Sequence, residues 1–198
     1  MDEQIFELLI TRHAITREQL TYLLKQYAQG NSEATIQIAL LYKELGLYAE
    51  MIALLQFETE NSHAEAQYEL ANCYFEGLGV EASERQALAL YEKAAQQQHP
   101  DATNNLADMY LNGEGTEEDA ELAFHWFERA AQLDVMEAMF TLGIMYEQGI
   151  GVKQSEEQAF RFYMESANRG YEEAQFRIGS VYFEGLLGQQ RSANLAFT

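Results

Sequence analysis

The sequence predicts an all-α protein with no β-sheet: a right-handed superhelical solenoid of antiparallel helix pairs. Three observations lead there. A heptapeptide recurs every 36 residues, other columns of residues keep the same register, and within each unit those columns are spaced as on one stripe of a helix. The copies are YFEGLGV from Tyr74, YLNGEGT from Tyr110, YEQGIGV from Tyr146 and a variant, YFEGLLG, from Tyr182. The composition is rich in Ala, Leu, Glu and Gln, and one proline in 198 residues leaves little room for loop-rich folds.

In chain order, residues 1–32 predict a helical cap of two helices. The second runs from about Thr16 to Gln29 and is opened by a capping box, Thr16 with Gln19. Residues 33–64 predict a shorter, divergent hairpin of 32 residues, in which Ala34, Ile38, Ala39 and Tyr42 fit the first helix and the two-glycine loop is missing. The units 65–100, 101–136 and 137–172 share one plan. Their first helix carries Ala66, Leu70, Ala71 and Tyr74, then Ala102, Leu106, Ala107 and Tyr110, then Ala138, Leu142, Gly143 and Tyr146. Their second helix carries Ala87, Tyr91, Ala94 and Ala95, and its equivalents bring Phe127 and Tyr163 to the aromatic position. Small residues stand where helices approach and aromatic ones fill the gaps beside them, the alternation that ridge-into-groove packing needs.

Punctuation between the helices is equally regular. Gly77, Gly113, Gly149 and Gly185 fit the left-handed stop of the first helix, and Gly79, Gly115 and Gly151 shape the turn that follows. Ser83, Asp119 and Ser155 are N-caps of the second helix, with Gln86 and Gln158 making capping boxes for the two serines. Residues 173–198 predict an incomplete unit. Leu187 displaces the expected glycine there, and "LAF" at 195–197 matches "LAF" at 122–124, so a second helix is expected to begin as the chain ends. Such an end is expected of a fragment of a longer array or of an array capped by another chain.

This layout resembles the Sel1-like repeat (SLR) family, a relative of the tetratricopeptide repeats (TPR) with a longer loop between its helices. The residues that carry the resemblance are Ala66, Leu70, Tyr74, Gly77, Gly79, Val80, Ala87, Tyr91, Lys93, Ala94 and Ala95, with their equivalents 36 and 72 residues on. "AFHWFERAA" at 123–131 is an especially good match to the family's second helix, and the likeness covers residues 65–198. The divergent hairpin at 33–64 looks more like a plain tetratricopeptide unit. The resemblance implies a single continuous solenoid in which the first helix of each pair lines a concave face, and that face holds peptides or protein segments.

Carried onto this chain, the outward positions are Tyr68, Asn72, Phe75 and Glu76; Asn104, Asp108, Leu111 and Asn112; Phe140, Ile144, Glu147 and Gln148; and Phe176, Ser180, Phe183 and Glu184. The partner-binding set within them is Tyr68, Asn72, Glu76, Asn104, Asp108, Asn112, Phe140, Ile144, Gln148, Phe176, Ser180 and Glu184. These columns vary in residue type from unit to unit while the core columns do not. Aromatics beside Asn and Asp suit peptide recognition, because the amides can bond an extended backbone. The competing use of the Tyr68 column is packing against the preceding unit.

Charge narrows the partner. A net charge of −20 argues against a nucleic-acid backbone, which needs clustered Lys and Arg, and against anionic membrane surfaces. It steers a basic protein or peptide toward the chain. The start, MDEQIFELLI, has acids where a signal peptide needs positive charge, and no stretch reaches the roughly 18 apolar residues of a membrane span. One cysteine forms no intramolecular disulfide, so a reducing, cytoplasmic location is expected.

Chemistry has weak candidates. The glycine loops follow helices rather than strands and no GK[ST] follows them, which disfavours a phosphate loop. Cys73 shares its column with Met109, Met145 and Val181, so it reads as a buried structural thiol. His13, His63, His99 and His125 lack metal-ligand spacing, and "GEGTEEDAE" at 113–121 lacks the alternating ligands of an EF-hand. Its acids complement a helix start. No catalytic, cofactor or metal residue is therefore expected, and a non-enzymatic interaction scaffold is the leading reading. The alternatives are an assembly module that forms homo-oligomers through its C-terminal end, and a β-lactam-binding or hydrolysing enzyme. Some secreted members of the resembling family are linked to that last activity, but they carry paired cysteines, and here no serine has Lys three residues on. Charge reversal at Asn72 and Asp108 is expected to abolish capture of a partner without changing thermal stability; surviving capture sinks the choice of face.

Overall fold

The computed structural model describes residues 3–12 and 15–192; His13 and the expected helix start at 195–197 lie outside them. Among the described residues there are eleven α-helices and no strand. The chain divides into two compact units, Met1–Ala94 and Ala95–Thr198.

In the first unit, α1 (Glu3–Arg12) and α2 (Arg17–Ala28) precede two hairpins. These are α3 (Ser32–Glu44) with α4 (Tyr48–Glu60), and α5 (Ala64–Glu76) with α6 (Glu84–Gln96), whose last two residues fall in the second unit. The box that opens α2 is reciprocal: the Gln19 N–H donates to Thr16 Oγ1 at 3.1 Å, and the Thr16 N–H to Gln19 Oε1 at 2.8 Å. Leu23, Ala34 and Ile38 form a buried cluster that Leu41, Tyr42 and Leu54 close from α3 and α4.

The second unit holds α7 (Pro100–Asn112) with α8 (Ala120–Gln132), α9 (Met136–Gln148) with α10 (Glu156–Asn168), and α11 (Glu172–Glu184). Small positions meet aromatic ones as their columns predict. Phe127 and Tyr163 are essentially buried, and a methyl added to Gly143 would lie 2.5 Å from the Tyr163 ring.

The heptapeptide acts the same way in every copy. Gly77, Gly113, Gly149 and Gly185 end α5, α7, α9 and α11 at φ 74°, 71°, 73° and 73°. Each donates its N–H four residues back, to Cys73, Met109, Met145 and Val181. The chain then returns far enough for a second backbone bond. Ser83 donates its N–H to the Tyr74 carbonyl at 2.8 Å, Asp119 to Tyr110 at 2.8 Å, Ser155 to Tyr146 at 2.9 Å and Ser192 to Tyr182 at 2.7 Å. This clasp ties the residue before the second helix to the aromatic that opens the motif. Side chains finish the cap: Asp119 Oδ1 accepts from the Leu122 N–H at 2.9 Å, and the Ser83 and Ser155 hydroxyls accept from Gln86 and Gln158 at 3.4 and 3.3 Å.

The second glycine does more than shape a turn. At Gly151, φ 63°, an added Cβ would sit 2.0 Å from the Ala120 carbonyl oxygen, so this loop presses backbone to backbone on the start of α8. At Gly79 an added Cβ would lie 2.5 Å from the Tyr48 Cβ at the start of α4, so there the close neighbour is a side chain. In the last copy Leu187 adopts φ 50° and is buried.

Two alanine variants separate these roles. At Gly149 the nearest atom to a new methyl is Gln154 Cβ at 3.4 Å, so Gly149→Ala meets only the left-handed penalty, about 1 kcal/mol. Gly151→Ala adds a collision with a carbonyl and is expected to cost about 3 kcal/mol or more. Urea unfolding ranks the two, and equal losses would refute the backbone contact.

Candidate functional site

The outward positions of the first helices fall into residues already used by the fold and residues left open. In the first unit, Asn72 is used. Its Oδ1 accepts from the hydroxyl of the buried Tyr91 at 2.5 Å, and the Tyr68 ring lies 6.1 Å from the Tyr91 ring, tilted by 47°. Both are half-buried, while Phe75 and Glu76 are exposed on the last turn of α5. Introducing a charge at Asn72 is thus expected to lower stability, against the sequence-based expectation. The register could not show this, because the partner is on another helix.

In the second unit, α7 presents Asn104 and Asp108 one turn apart. Asn104 Nδ2 donates to Asp108 Oδ2 at 3.0 Å, while Asn104 Oδ1 is buried and has no hydrogen-bond partner among the described residues. Burial pushes the Asp108 carboxyl up to about 6, the Glu114 charge adds to this, and the Asn104 bond opposes it. Asn112 is exposed, and Leu111 packs on the core.

Phe140 and Ile144 are half-buried against the cluster of Ala159, Tyr163 and Val181. Phe140 lies 5.4 Å from both the Tyr163 and Tyr171 rings. Phe140 thus packs within its own unit rather than against the preceding one. Gln148 and Glu184 are exposed, Ser180 Oγ donates to its own helix at the Phe176 carbonyl (3.1 Å), and Phe176 itself is 80% exposed.

A network absent from the sequence reading surrounds Glu147. It accepts from the Tyr163 hydroxyl at 2.6 Å through Oε2 and pairs with Arg177 of α11 through Oε1. Burial, then the bond to Glu147, raises the Tyr163 phenol well above its ordinary value. The first unit has the equivalent bridge with its signs exchanged: Lys43 Nζ lies 3.0 Å from Glu69 Oε2, at positions that align with Glu147 and Arg177. The signal was present. Arg177 is the one base in a column that otherwise reads Glu69, Asn105 and Thr141.

The other candidates have local duties. Cys73 is fully buried and burial pushes its thiol up to about 11, so it holds no thiolate at neutral pH. His99 Nδ1 caps α7 by accepting from the Ala102 N–H at 3.2 Å, and His125 is exposed on α8, 3.4 Å from Glu128. Asp119 in the acidic loop caps α8. Among the described residues no group of three or more His, Cys, Asp or Glu is placed to hold a metal ion, and no helix is long and apolar enough to cross a membrane.

The family model described as the Sel1 repeat matches residues 64–99, 100–135, 137–171 and 172–198. The chain belongs to the Sel1 repeat family. No curated protein matches it. Among solved structures, it is similar to a Sel1 repeat protein from Oxalobacter formigenes, with 22% identity and a TM-score of 0.81 over 98% of this chain and 80% of that one. It is also similar to a protective antigen of uropathogenic Escherichia coli that displays an SLR fold, with 25% identity and a TM-score of 0.81; 97% of this chain covers 43% of that one. An immunity protein from Pseudomonas aeruginosa has 18% identity and a TM-score of 0.57 over all of this chain and 79% of that one. These likenesses show the all-helical solenoid fold of Sel1 repeats. Sel1 repeat proteins generally act as protein-interaction scaffolds and are typically non-enzymatic.

Tyr91→Phe and Tyr163→Phe each remove one hydroxyl donor from a side-chain acceptor on the first helix. Each is expected to lower stability by about 1 to 2 kcal/mol in chemical denaturation. Unchanged stability at both would show that these bonds do not hold the helices of a repeat together.

Proposed function

We propose that this Sel1 repeat protein is a scaffold without chemistry of its own, and that it holds a basic segment of a protein partner on the first-helix face. Asn104 and Asp108 carry this reading. A buried amide oxygen without a partner and a carboxylate held in poor solvation are both short of donors. A lysine, an arginine or an extended backbone supplies donors of that kind, and the −20 net charge draws a basic segment in. An immunity protein is among the solved structures that share this fold. The buried, protonated Cys73 suits a reducing, cytoplasmic setting.

The same pair predicts a trade between stability and binding. Asp108 ionises near 6 when folded against 3.8 for an ordinary aspartate, so the native state binds its proton more tightly. Its contribution to stability is therefore greatest below about pH 4 and falls as pH rises through 6. Asp108→Asn removes that loss, and its amide can donate to Asn104 Oδ1. It is expected to raise stability by about 1 kcal/mol at pH 7 and to flatten the pH profile between 4 and 6. If the pair is a binding site, the same variant loses at least tenfold in affinity for a partner captured from cell extract. A variant that is more stable and binds equally well sinks the reading.

Self-association through α11 is a second reading, favoured by its exposed Phe176 and Phe183. Sedimentation over a wide concentration range decides it, and a strict monomer removes it.

A further inference from the structure

Between α9 and α11 the second unit has an open depression of about 400 Å³, lined by Phe140, Glu172, Glu173, Phe176 and Arg177. Its walls are aromatic. Phe140 is braced by Tyr163 and Tyr171, whereas Phe176 is 80% exposed, the largest exposure of any buried-type side chain described. Its rim is acidic. Each first helix of units 65–172 has one acid at the position of Glu173, namely Glu65, Asp101 and Glu137, which helix-dipole compensation explains. Glu172 has no such counterpart: its column reads Ala64, Pro100 and Met136. Burial, then the charges of Glu173 and Glu137, raise the Tyr171 phenol, which also donates to Glu173, so the depression sits in a negative field from two helices.

The lone base in the lining does not cancel this field. The Arg177 guanidinium is paired with Glu147 and lies 5.7 Å over the Tyr163 ring. What remains open is a flat aromatic surface next to two carboxylates that pair with no cation among the described residues. A flat delocalised cation satisfies both at once, stacking on the ring face while its N–H fork reaches the acids. An ammonium meets the charge but not the fork. A neutral side chain of the same shape brings no counter-charge to the two carboxylates.

We propose that this depression receives an arginine side chain of the partner segment, with its guanidinium on Phe176 and its N–H groups on Glu172 and Glu173. The inference rests on the reading that the first-helix face meets a basic protein segment, and it names the residue that the second unit selects. The Asn104–Asp108 pair lies on a different helix, so the two sites fail independently.

The test uses the full chain and three probes: N-acetyl-arginine amide, N-acetyl-lysine amide and N-acetyl-citrulline amide. Binding is followed by ¹⁵N–¹H correlation spectra. The expected result is a saturable shift confined to residues around 171–177, with a dissociation constant on the order of millimolar for arginine, as befits so small a ligand. Lysine is expected to bind at least threefold more weakly, and citrulline not measurably. Phe176→Ser and Glu172→Gln are both surface changes, and each is expected to weaken arginine binding at least fivefold with an unchanged spectrum elsewhere. Asp108→Asn should leave it unaltered. Absence of saturation, citrulline binding as well as arginine, or full binding by Phe176→Ser or Glu172→Gln would overturn the proposal. If a captured partner still depends on Asp108 in that case, the scaffold reading stands without this site.

Discussion

The backbone bond from the N-cap of each second helix to the tyrosine carbonyl of the first is the constraint on which the rest depends. It follows a left-handed glycine that stops the first helix, and together they return the chain in one geometry. Both partners are main-chain atoms, so the bond is indifferent to what the loop side chains are. That indifference lets Gly-Leu-Gly-Val, Gly-Glu-Gly-Thr and Gly-Ile-Gly-Val give one clasp at 2.8 to 2.9 Å. Once the helices are fixed in angle, an alanine or glycine on one must face an aromatic ring on the other, as Gly143 faces Tyr163. The outward positions of the first helix are what this closure leaves over.

Polar residues in that remainder are treated in two ways. Around Glu147 every demand is met, by a phenol, a guanidinium and the close packing of Tyr163. Around Asn104 and Asp108 the demand is met in part, and the shortfall is stored as an unpaired oxygen and a poorly solvated carboxylate. A filled network adds to cohesion of the array. An unfilled one subtracts from it and is tolerable where binding restores what folding gives up.

The fold was legible because its rules are local and repeated. A helix stop, an N-cap and a small-to-large alternation each occupy a few residues, and three or four copies separate them from accident. The second glycine was only half legible. Its turn is visible in the loop, but the reason no methyl is tolerated at Gly151 is the Ala120 carbonyl, thirty-one residues away. The candidate surface was legible in position and not in use. Asn72 and Phe140 have outward register, yet Tyr91 and Tyr163 reach across to them from the second helix. Asp108 has the register of Asn72, but the aromatic of its second helix is Phe127, which has no hydroxyl to donate, and Phe176 stays exposed. Arg177 and Glu172 stood out in their columns, and a column search limited to the outward face passes them by.

The two bridges of opposite polarity bear on how such an array can change over time. Lys43 with Glu69 and Glu147 with Arg177 occupy equivalent places, with base and acid exchanged. Duplicated units invite recombination between copies, and most of the core columns would survive it. These pairs would not. A deletion joining the first hairpin directly to the last helix would set Lys43 against Arg177, and an insertion of the second hairpin after α10 would set Glu147 against Glu69. The charges mark two junctions of the array, and at those two only an oppositely charged neighbour is attracted.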